Sequence, residues 1–271
     1  MKWTPEAEKA IKKVPFFVRK KVRLRVENEV RDKGKNRITP DDVKATKAGY
    51  LSKMSSEVKG YQMDTCFGSE GCPNRVSNSD RMIEKIEKIF RKEDLLSFLK
   101  ESVNGELKPH HEFRVTVADC PNACSQPQIK DIGLIGACIP EITDKECSLC
   151  NLCVDICREK AISIDDDRHK PAIDFTLCLK CGQCMDVCPT GTIEKGKTGF
   201  RVQLGGKLGR HPRLAREVPG IYADDQVIEI VKACIKFYKA NSKHGERFSE
   251  IFKTADFEDL LSRFTPHSHP L

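Results

Sequence analysis

The sequence predicts an α+β fold that carries a small helical unit at its N-terminus and a cysteine-rich insertion in its second half. Helical hydrophobic periodicity fills roughly the first 58 residues. Farther along, helical patterns are followed by short stretches in which apolar and polar residues alternate, as they do in half-buried strands. Between two such stretches the same cysteine motif occurs twice. These observations divide the chain into a helical unit, a mixed domain and an insertion.

The composition is that of a globular protein, with 271 residues of which 39% are hydrophobic and 32% charged. We find no apolar run of about 18 residues and no leader sequence, so we expect no membrane span and a cytoplasmic location. Cysteine is unusually frequent, at 14 residues. A secreted disulfide framework is one explanation, but repeated Cys-x2-Cys spacings favour metal binding in a reducing compartment. Scattered cations and only 7% aromatic residues argue against a nucleic-acid partner.

The sequence pattern predicts three helices within residues 1–58. Thr4 and Pro5 provide an N-cap and a first-turn proline, and Pro15 ends the first helix. The second helix is predicted over 16–33, and the third begins at Thr39. The polar face of the second helix is basic, which we interpret as a solvated helix surface. Its cations are Arg19, Lys20, Lys21, Arg23 and Arg25.

We predict one mixed domain of helices and strands, which comprises residues 59–143 and 197–264. The predicted helices cover 79–92 and 94–100 and begin again at Asp224 or Asp225 and at Thr254, and the predicted strands cover 113–117, 132–136 and 199–204. The last segment, 265–271, contains His267 and His269 and is predicted to be a disordered tail.

Four cysteines of the mixed domain form two pairs on turn-like segments. Cys120 and Cys124 follow the predicted strand 113–117 in a Cys-Pro-Asn-Ala-Cys turn, and Cys66 and Cys72 flank a glycine-containing loop. Each pair alone is equally compatible with buried structural thiols. Together the four thiols are sufficient to hold one [4Fe–4S] cluster.

Residues 144–196 contain the most specific motif, two copies of Cys-x2-Cys-x2-Cys-x3-Cys. This is the spacing of bacterial two-cluster ferredoxins, in which the fourth cysteine of each run binds the other cluster. The predicted ligand sets are Cys147, Cys150, Cys153 and Cys188 for one cluster, and Cys178, Cys181, Cys184 and Cys157 for the other. Zinc is the alternative, and it is disfavoured because zinc sites rarely take four cysteines from one short run. Cys138 and Cys234 lie outside these motifs and are predicted to be ordinary apolar residues.

A basic, glycine-rich loop follows the predicted strand 199–204. It runs from Gly205 to Arg213 and includes Lys207 and Arg210. Glycines allow a backbone to approach a ligand closely, and the cations favour a ligand that is anionic. A flexible, solvated loop is the alternative interpretation.

The four cysteines at 66, 72, 120 and 124, with the stretches CPNACSQPQIKDIGLIG and GFRVQLGGKLGRHPRLA, resemble sirohaem-containing sulfite and nitrite reductases. The similarity is greatest to the dissimilatory-type and anaerobic sulfite reductases, which also carry an inserted ferredoxin. It implies a sulfite reductase-like half with an inserted, ferredoxin-like 2[4Fe-4S] domain. It also implies that the four cysteines bind a cluster and that the Cys124 sulfur bridges this cluster to sirohaem iron. Family members contain two related halves, of which this chain resembles the second.

The same resemblance implies roles for polar residues around the cluster. The candidate catalytic cations are Lys130, Lys207, Arg210 and Arg213. The candidate sirohaem-binding residues are Cys124, Asn122, Gly205, Gly206, Lys207 and Arg210.

The N-terminal helices carry a separate resemblance. The segments VPFFVRKKV and ITPDDV resemble the small helical domain that closes one subunit of light-independent protochlorophyllide reductase, where it sits beside a tetrapyrrole.

Together the resemblances imply an oxidoreductase with three [4Fe–4S] clusters and one sirohaem. The expected substrate is a small anion, sulfite or nitrite, and the expected partner is an electron donor such as a ferredoxin or a redox subunit. The alternatives are an electron-transfer subunit and a tetrapyrrole-handling subunit of a larger redox complex. An oligomer is compatible with each of these interpretations.

Overall fold

The computed structural model describes residues 1–264, and the chain separates into two compact units. The first unit comprises Met1–Val58 and Val103–His110, and the second comprises Lys59–Ser102 and the chain from His111 onward. The sequence places 103–110 in the mixed domain, whereas the structure groups it with the helical unit. The predicted tail at 265–271, with His267 and His269, lies outside the described residues.

The first unit contains the three predicted helices. They are α1 (Pro5–Lys12), α2 (Phe16–Asp32) and α3 (Pro40–Ser56), accompanied by two short parallel strands, β1 (Lys2–Trp3) and β2 (Arg37–Ile38). The small core consists of Ala7, Val26, Val30 and Ile38. The Thr4 hydroxyl accepts a hydrogen bond from the Ala7 N–H, so the predicted N-cap of α1 is confirmed.

Three of the five cations on the basic face of α2 are bound within the first unit. The pairs are Arg19 with the Val14 carbonyl, Arg23 with Glu8, and Arg25 with Glu29. These contacts tie α2 to its neighbours and to its own next turn. They account for much of the basic face without any external anion.

The second unit supplies the remaining secondary structure. Its strands are β3 (Tyr61–Thr65), β4 (Phe113–Ala118), β5 (Ile132–Ile142), β6 (Ile162–Asp165), β7 (Lys170–Ile173), β8 (Ile193–Leu204) and β9 (Arg216–Tyr222). Its helices are α4 (Asp80–Glu93), α5 (Leu95–Ser102), α6 (Leu152–Ile156), α7 (Gln183–Asp186), α8 (Asp224–Asn241), α9 (Phe248–Ile251) and α10 (Thr254–Phe264). The predicted α+β class is therefore confirmed. None of the helices within residues 1–264 combines the length and the apolar composition that a membrane span requires.

A five-stranded sheet in the order β3-β4-β5-β8-β9 organises the second unit. The first three strands are parallel, and β8 and β9 continue the sheet in antiparallel pairing. Buried aromatic rings join the sheet to the helices: the ring centroid of Phe113 on β4 lies 5.2 Å from that of Tyr238 on α8 and 5.9 Å from that of Phe90 on α4.

The sequence missed both edge strands of this sheet. β3 alternates apolar and polar residues but is only five residues long, and β9 contains Pro219 and Gly220, which disfavour a central strand. An edge strand needs only one hydrogen-bonding side, so it accommodates proline. The start of α8 also differs from the prediction: the N-cap is Ala223, whose N–H donates to the Gln226 side chain.

The cysteine-rich insertion extends from the paired strands β5 and β8. Their antiparallel register continues out to Ile142 opposite Ile193, and the Thr143 N–H donates to the Thr192 carbonyl over 2.8 Å. Beyond this arm, β6 and β7 form a hairpin and α6 and α7 each make about one helical turn. The core of the insertion is Cys153, Ile162, Cys184 and Ile193.

Asp42 closes the capping box at the start of α3, and its removal tests the stability of the first unit. The side chain is 6% exposed and accepts from the Thr39 N–H and from Lys35 Nζ. The Lys35 contact, followed by the Thr39 N–H, lowers the pKa of Asp42 to about 2. Its contribution is therefore present above its ordinary pKa near 3.8 and is lost as the pH falls toward 2.

We expect Asp42→Ala to destabilise the first unit by about 1–2 kcal/mol, because the Thr39 N–H and Lys35 lose their carboxylate acceptor although the Thr39 cap remains. Amide hydrogen exchange over α1 to α3 at neutral pH measures this loss. Asp41→Ala is the matched control, since Asp41 is 87% exposed and its ion pair with Lys44 joins two residues on the surface of the same helix. Equal protection in the two variants would contradict the capping role.

Candidate metal and cofactor site

Four thiols lie at one edge of the five-stranded sheet. Because β3 and β4 are parallel, both strands end at this edge, and Cys66 and Cys120 follow them there. The Cys66 N–H donates to the Val117 carbonyl over 3.1 Å, which extends the strand pairing to the first thiol. Cys66, Cys72 and Cys124 are all electrostatic neighbours of Cys120. The fold thus brings two cysteine pairs that are distant in sequence into one four-thiol site.

The four thiols differ in their exposure. Burial raises the pKa of Cys120, and the three neighbouring thiols raise it further. Cys124, by contrast, is exposed. Thiolates are the metal-binding form, so several close thiols deprotonate together only when bound positive charge neutralises them. The four thiols fit an iron–sulfur cluster whose Cys124 sulfur faces the protein surface.

Hydrogen-bond donors point at the sulfurs of this site. The N–H groups of Gly68 and Asp119 donate to Cys66 Sγ over 3.4 and 3.2 Å, and Asn122 Nδ2 donates to Cys124 Sγ over 2.9 Å. Such bonds stabilise negative charge on sulfur and influence cluster potentials. Ala123 adopts φ 53°, a left-handed conformation that closes the tight turn between Cys120 and Cys124.

The insertion contains two further groups of thiols, and the first combines both copies of the motif. Burial raises the pKa of Cys153, with Cys147 and Cys150 as neighbouring thiols. Cys188, from the second copy, is the neighbouring thiol of Cys150. The chain therefore places Cys188 with the first copy.

The second group shows the reciprocal exchange. Burial raises the pKa of Cys184 to about 12, and Cys178, Cys181 and Cys157 are its neighbouring thiols. Cys157 belongs to the first copy of the motif, so each copy gives its fourth cysteine to the other group. This is the grouping expected for a two-cluster ferredoxin module.

Backbone N–H groups also point at sulfurs in the insertion. Those of Leu149, Ala161, Lys180 and Ile193 donate to the Sγ atoms of Cys147, Cys157, Cys178 and Cys188 over 3.4, 3.3, 3.4 and 3.4 Å respectively. Leu149 and Lys180 adopt left-handed φ values of 56° and 63°, which turn the loops inward. The loops are thus shaped to surround sulfur-bound groups.

The thiol groups are not arranged for a single metal ion. Within residues 1–264, no three His, Cys, Asp or Glu side chains converge closely enough to hold one ion. A single ion such as zinc requires its ligands to converge on one point. A [4Fe–4S] cluster needs a wider arrangement, since each of its thiolates binds a different iron.

A cleft of about 350 Å³ lies between the sheet-edge site and the insertion. Cys120, Pro121 and Asn122 line one side, and thiols of the second insertion group line the other. Cys181 also forms a backbone bridge to Cys138 on β5. Cys138 is buried, as predicted for an apolar residue, and its backbone contributes to joining the two sites.

The basic, glycine-rich loop packs against the segment 128–130, which follows the cysteine turn in sequence. Gly206 is buried, and a Cβ at this position would lie 2.4 Å from the Gln128 carbonyl oxygen and 2.8 Å from that of Lys130. Lys130 forms an ion pair with Asp64 on β3, and its side chain is 15% exposed. The loop, Lys130 and the end of β3 are thus brought together. Arg210 at the loop tip is exposed.

Arg213 has a structural role in this arrangement. Its guanidinium donates to the carbonyls of Gly205, Ser249 and Phe252. Its backbone pairs with that of Lys207 over 2.8 and 2.9 Å. These contacts fasten the loop to the C-terminal helices, so Arg213 is better described as a support for Lys207 and Arg210 than as a substrate-binding cation.

Asp131 is a site residue that the sequence did not identify. Its carboxylate accepts from the N–H groups of Arg114 and Ser249 over 2.9 and 3.1 Å, and its carbonyl accepts from the Gly205 N–H over 2.8 Å. It therefore joins β4, the glycine loop and α9 next to Lys130. Buried carboxylates are rare without such partners, but no local pattern distinguishes Asp131 from an exposed acid.

We expect Asp131 to make the unfolding free energy depend on pH. Burial raises its pKa from an ordinary value near 3.8 to about 6, against the opposing effect of the two N–H donors. The folded state then binds a proton more tightly than the unfolded state, so this contribution to stability decreases as the pH rises from about 4 to about 6.

Denaturant titrations between about pH 5 and 7 compare the intact protein with Asp131→Asn around this pKa. The variant should be less stable by about 1–3 kcal/mol, because one buried N–H loses its acceptor. It should also lose this component of the pH dependence. Parallel pH profiles for the two proteins would show that Asp131 does not titrate in this range.

Two protein-family models match this sequence, and one of them describes an iron–sulfur domain, in agreement with the cysteine sites described above. A model of the nitrite and sulphite reductase 4Fe-4S domain matches residues 61–269, and a model of the proto-chlorophyllide reductase 57 kD subunit matches residues 3–47. Both predicted resemblances are therefore confirmed.

Individual relatives also match either most of the chain or a short segment of it. The chain is 26% identical over 203 residues to the coenzyme F420-dependent sulfite reductase of Methanocaldococcus jannaschii, covering 72% of this chain and 31% of the relative. It is 24% identical over 200 residues to an anaerobic sulfite reductase subunit from Salmonella typhimurium, covering 73% and 53%. Over 41 residues it is 58% identical to a light-independent protochlorophyllide reductase subunit from Chlorobium limicola, covering 15% and 8%.

The fold is also similar to a solved structure. The crystal structure of dissimilatory sulfite reductase I matches with a TM-score of 0.52 and 16% identity, covering 82% of this chain and 58% of that chain. The two sulfite reductase relatives are longer proteins, of which the chain spans about a third to a half.

Proposed function

Because the chain belongs to the nitrite and sulphite reductase 4Fe-4S domain family, we propose that it is a sirohaem- and iron–sulfur-dependent reductase of a small anion, sulfite or nitrite. The observation that carries the proposal is the four-thiol site at the sheet edge, in which Cys120 is buried and Cys124 is exposed. Such a site can enclose a cluster and present one sulfur to a second metal group.

We assign one [4Fe–4S] cluster to each of the three thiol groups and one sirohaem to the outer side of Cys124. When bound, sirohaem would supply the iron at which the anion is reduced. Cys124 Sγ, which accepts from Asn122, would be the sulfur shared between cluster and haem. The bond fixes the direction of the sulfur and stabilises its negative charge.

The glycine loop would hold the anionic groups of the site. Gly206, next to Gly205, brings the loop backbone against Gln128 and Lys130. Lys207 and Arg210 add positive charge. Arg210 is exposed at the loop tip, so it is the strongest candidate to contact substrate. Lys130 would act from its ion pair with Asp64, which limits its reach.

The two thiol groups of the insertion would act in a fixed order. The group containing Cys157 and Cys181 shares a cleft with Cys120, so we place it next to the sheet-edge cluster. The other group contains the exposed Cys150 and lies beside Leu149, which is 43% exposed. We propose that an electron donor protein docks there, and that electrons pass inward through the second group.

A second candidate is an electron-transfer or tetrapyrrole-handling subunit of a larger redox complex. It is favoured by the N-terminal match to the protochlorophyllide reductase family. Such a protein would bind the same clusters without reducing sulfite.

Serine substitutions at two cysteines test the cofactor assignment. The intact protein should contain about 13 iron atoms, twelve in clusters and one in sirohaem. Cys181→Ser should impair one relay cluster, leave the haem absorption band unchanged, and retain sulfite reduction by a dye that reaches the haem directly. Cys124→Ser should alter the haem band and abolish reduction even with the dye. Identical spectra for both variants would contradict the proposed bridge.

The substrate is tested by anaerobic assays with reduced viologen. We expect sulfide from sulfite or ammonia from nitrite, and we expect Arg210→Ala to lower kcat/KM by on the order of a hundredfold through loss of an anion donor. Arg168→Ala is the matched control, since Arg168 is an exposed cation of the β6–β7 loop. If the intact protein forms no product and its haem spectrum is unchanged by either anion, the second candidate function replaces the first.

A further inference from the structure

A buried ion pair lies behind the sheet-edge thiol site and has no role in the proposed function so far. Asp119, between β4 and Cys120, is 2% exposed. Its Oδ2 lies 2.9 Å from Nε of Arg75, whose side chain is 25% exposed. The other carboxylate oxygen, Oδ1, is buried and has no hydrogen-bond partner among the residues that the structure describes. A buried carboxylate with an unsatisfied oxygen is costly, so its presence calls for a physical reason.

Asp119 is directly connected to a predicted cluster ligand. Its N–H donates to Cys66 Sγ over 3.2 Å. Gly68, whose N–H donates to the same sulfur, packs against the carboxylate: a Cβ on Gly68 would lie 2.2 Å from Asp119 Oδ2. The negative charge is therefore held against the peptide groups that surround this sulfur.

The charge of Asp119 is not needed for its backbone contacts. Its N–H bonds to Cys66, and its carbonyl accepts from the N–H groups of Val76 and Ser77 over 2.9 and 3.2 Å. An asparagine at this position retains all three bonds. What asparagine removes is the charge and the ion pair with Arg75.

We propose that Asp119 is a positioning residue that lowers the reduction potential of the cluster held by the sheet-edge thiols. The inference rests on the cluster assignment of the proposed function, but not on the substrate. Reduction adds one electron to the cluster and forms or breaks no bond. The added negative charge is repelled by the buried carboxylate, whose field is weakly screened. Arg75 offsets part of this repulsion. The potential therefore lies between the value with Asp119 alone and the value with neither charge.

A low potential at this position has a functional consequence. The sheet-edge cluster lies between the relay and the shared Cys124 sulfur in the proposed arrangement. A cluster that holds its electron weakly passes it readily to the neighbouring acceptor. Asp119 would thus favour the onward transfer from this cluster, while the donor side must supply electrons at a correspondingly low potential.

Redox titrations monitored by electron paramagnetic resonance test the proposal in the full-length, cluster-loaded protein. We expect Asp119→Asn to raise the midpoint potential of one cluster and leave the other two unchanged. Arg75→Gln, measured at mildly alkaline pH, should lower the same potential, because Asp119 loses its counter-charge. The double variant should lie between the single variants, as expected for a coupled pair.

Asp80→Asn is the matched control. Asp80 is the other carboxylate partner of Arg75, at 3.4 Å, but its side chain is 51% exposed. Solvent screens its charge, so its removal should shift the potential much less. A shift in Asp119→Asn no larger than that of Asp80→Asn would overturn the proposal, and so would equal shifts of all three clusters.

Iron content separates this result from failure of the cofactor assignment. Each variant should retain about 13 iron atoms, or about 12 if the protein binds clusters without sirohaem. If Asp119→Asn does not load its cluster, Arg75→Gln decides alone: a lowered potential supports the proposal, and an unchanged one overturns it. An intact protein without a third cluster signal would contradict the proposed function itself.

Discussion

The parallel pairing of β3 with β4 is the constraint on which the candidate site depends. Parallel strands end at the same sheet edge, so the pairing places Cys66 beside Cys120 although 53 residues separate them. The register that sets Thr65 opposite Val117 also fixes the Asp119 N–H against Cys66 Sγ. A one-residue slip would turn every side chain of the shifted strand to the opposite face and remove the convergence of thiols. Sheet register and metal-ligand geometry are therefore one requirement.

A second set of contacts holds the glycine loop at this edge. Asp131 binds three backbone N–H groups from separate segments, and Arg213 binds three carbonyls. Both residues are charged, yet their role is to satisfy backbone groups that would otherwise be buried without partners. The charged residues of the loop region therefore have two roles. Lys207 and Arg210 can present charge to a ligand because Arg213 and Asp131 fix the chain around them.

The sequence predicted what is encoded locally. Helices α1 to α3 and strand β4 follow from capping residues and alternation, each of which is confined to a few neighbouring residues. It did not predict β9, because an edge strand tolerates Pro219 where a central strand would not. Nor did it separate Arg213 from Arg210: which arginine meets buried carbonyls depends on α9, far along the chain.

The arm formed by β5 and β8 has an evolutionary consequence. Thr143 and Thr192 are joined by a backbone hydrogen bond, so the two ends of the cysteine-rich insertion are adjacent. A segment whose ends meet can be gained or lost by recombination while the host sheet keeps its register, since a tight turn can close the same two strands. The insertion has the form of a transferable cassette, and its excision would leave β5 and β8 joined as a hairpin.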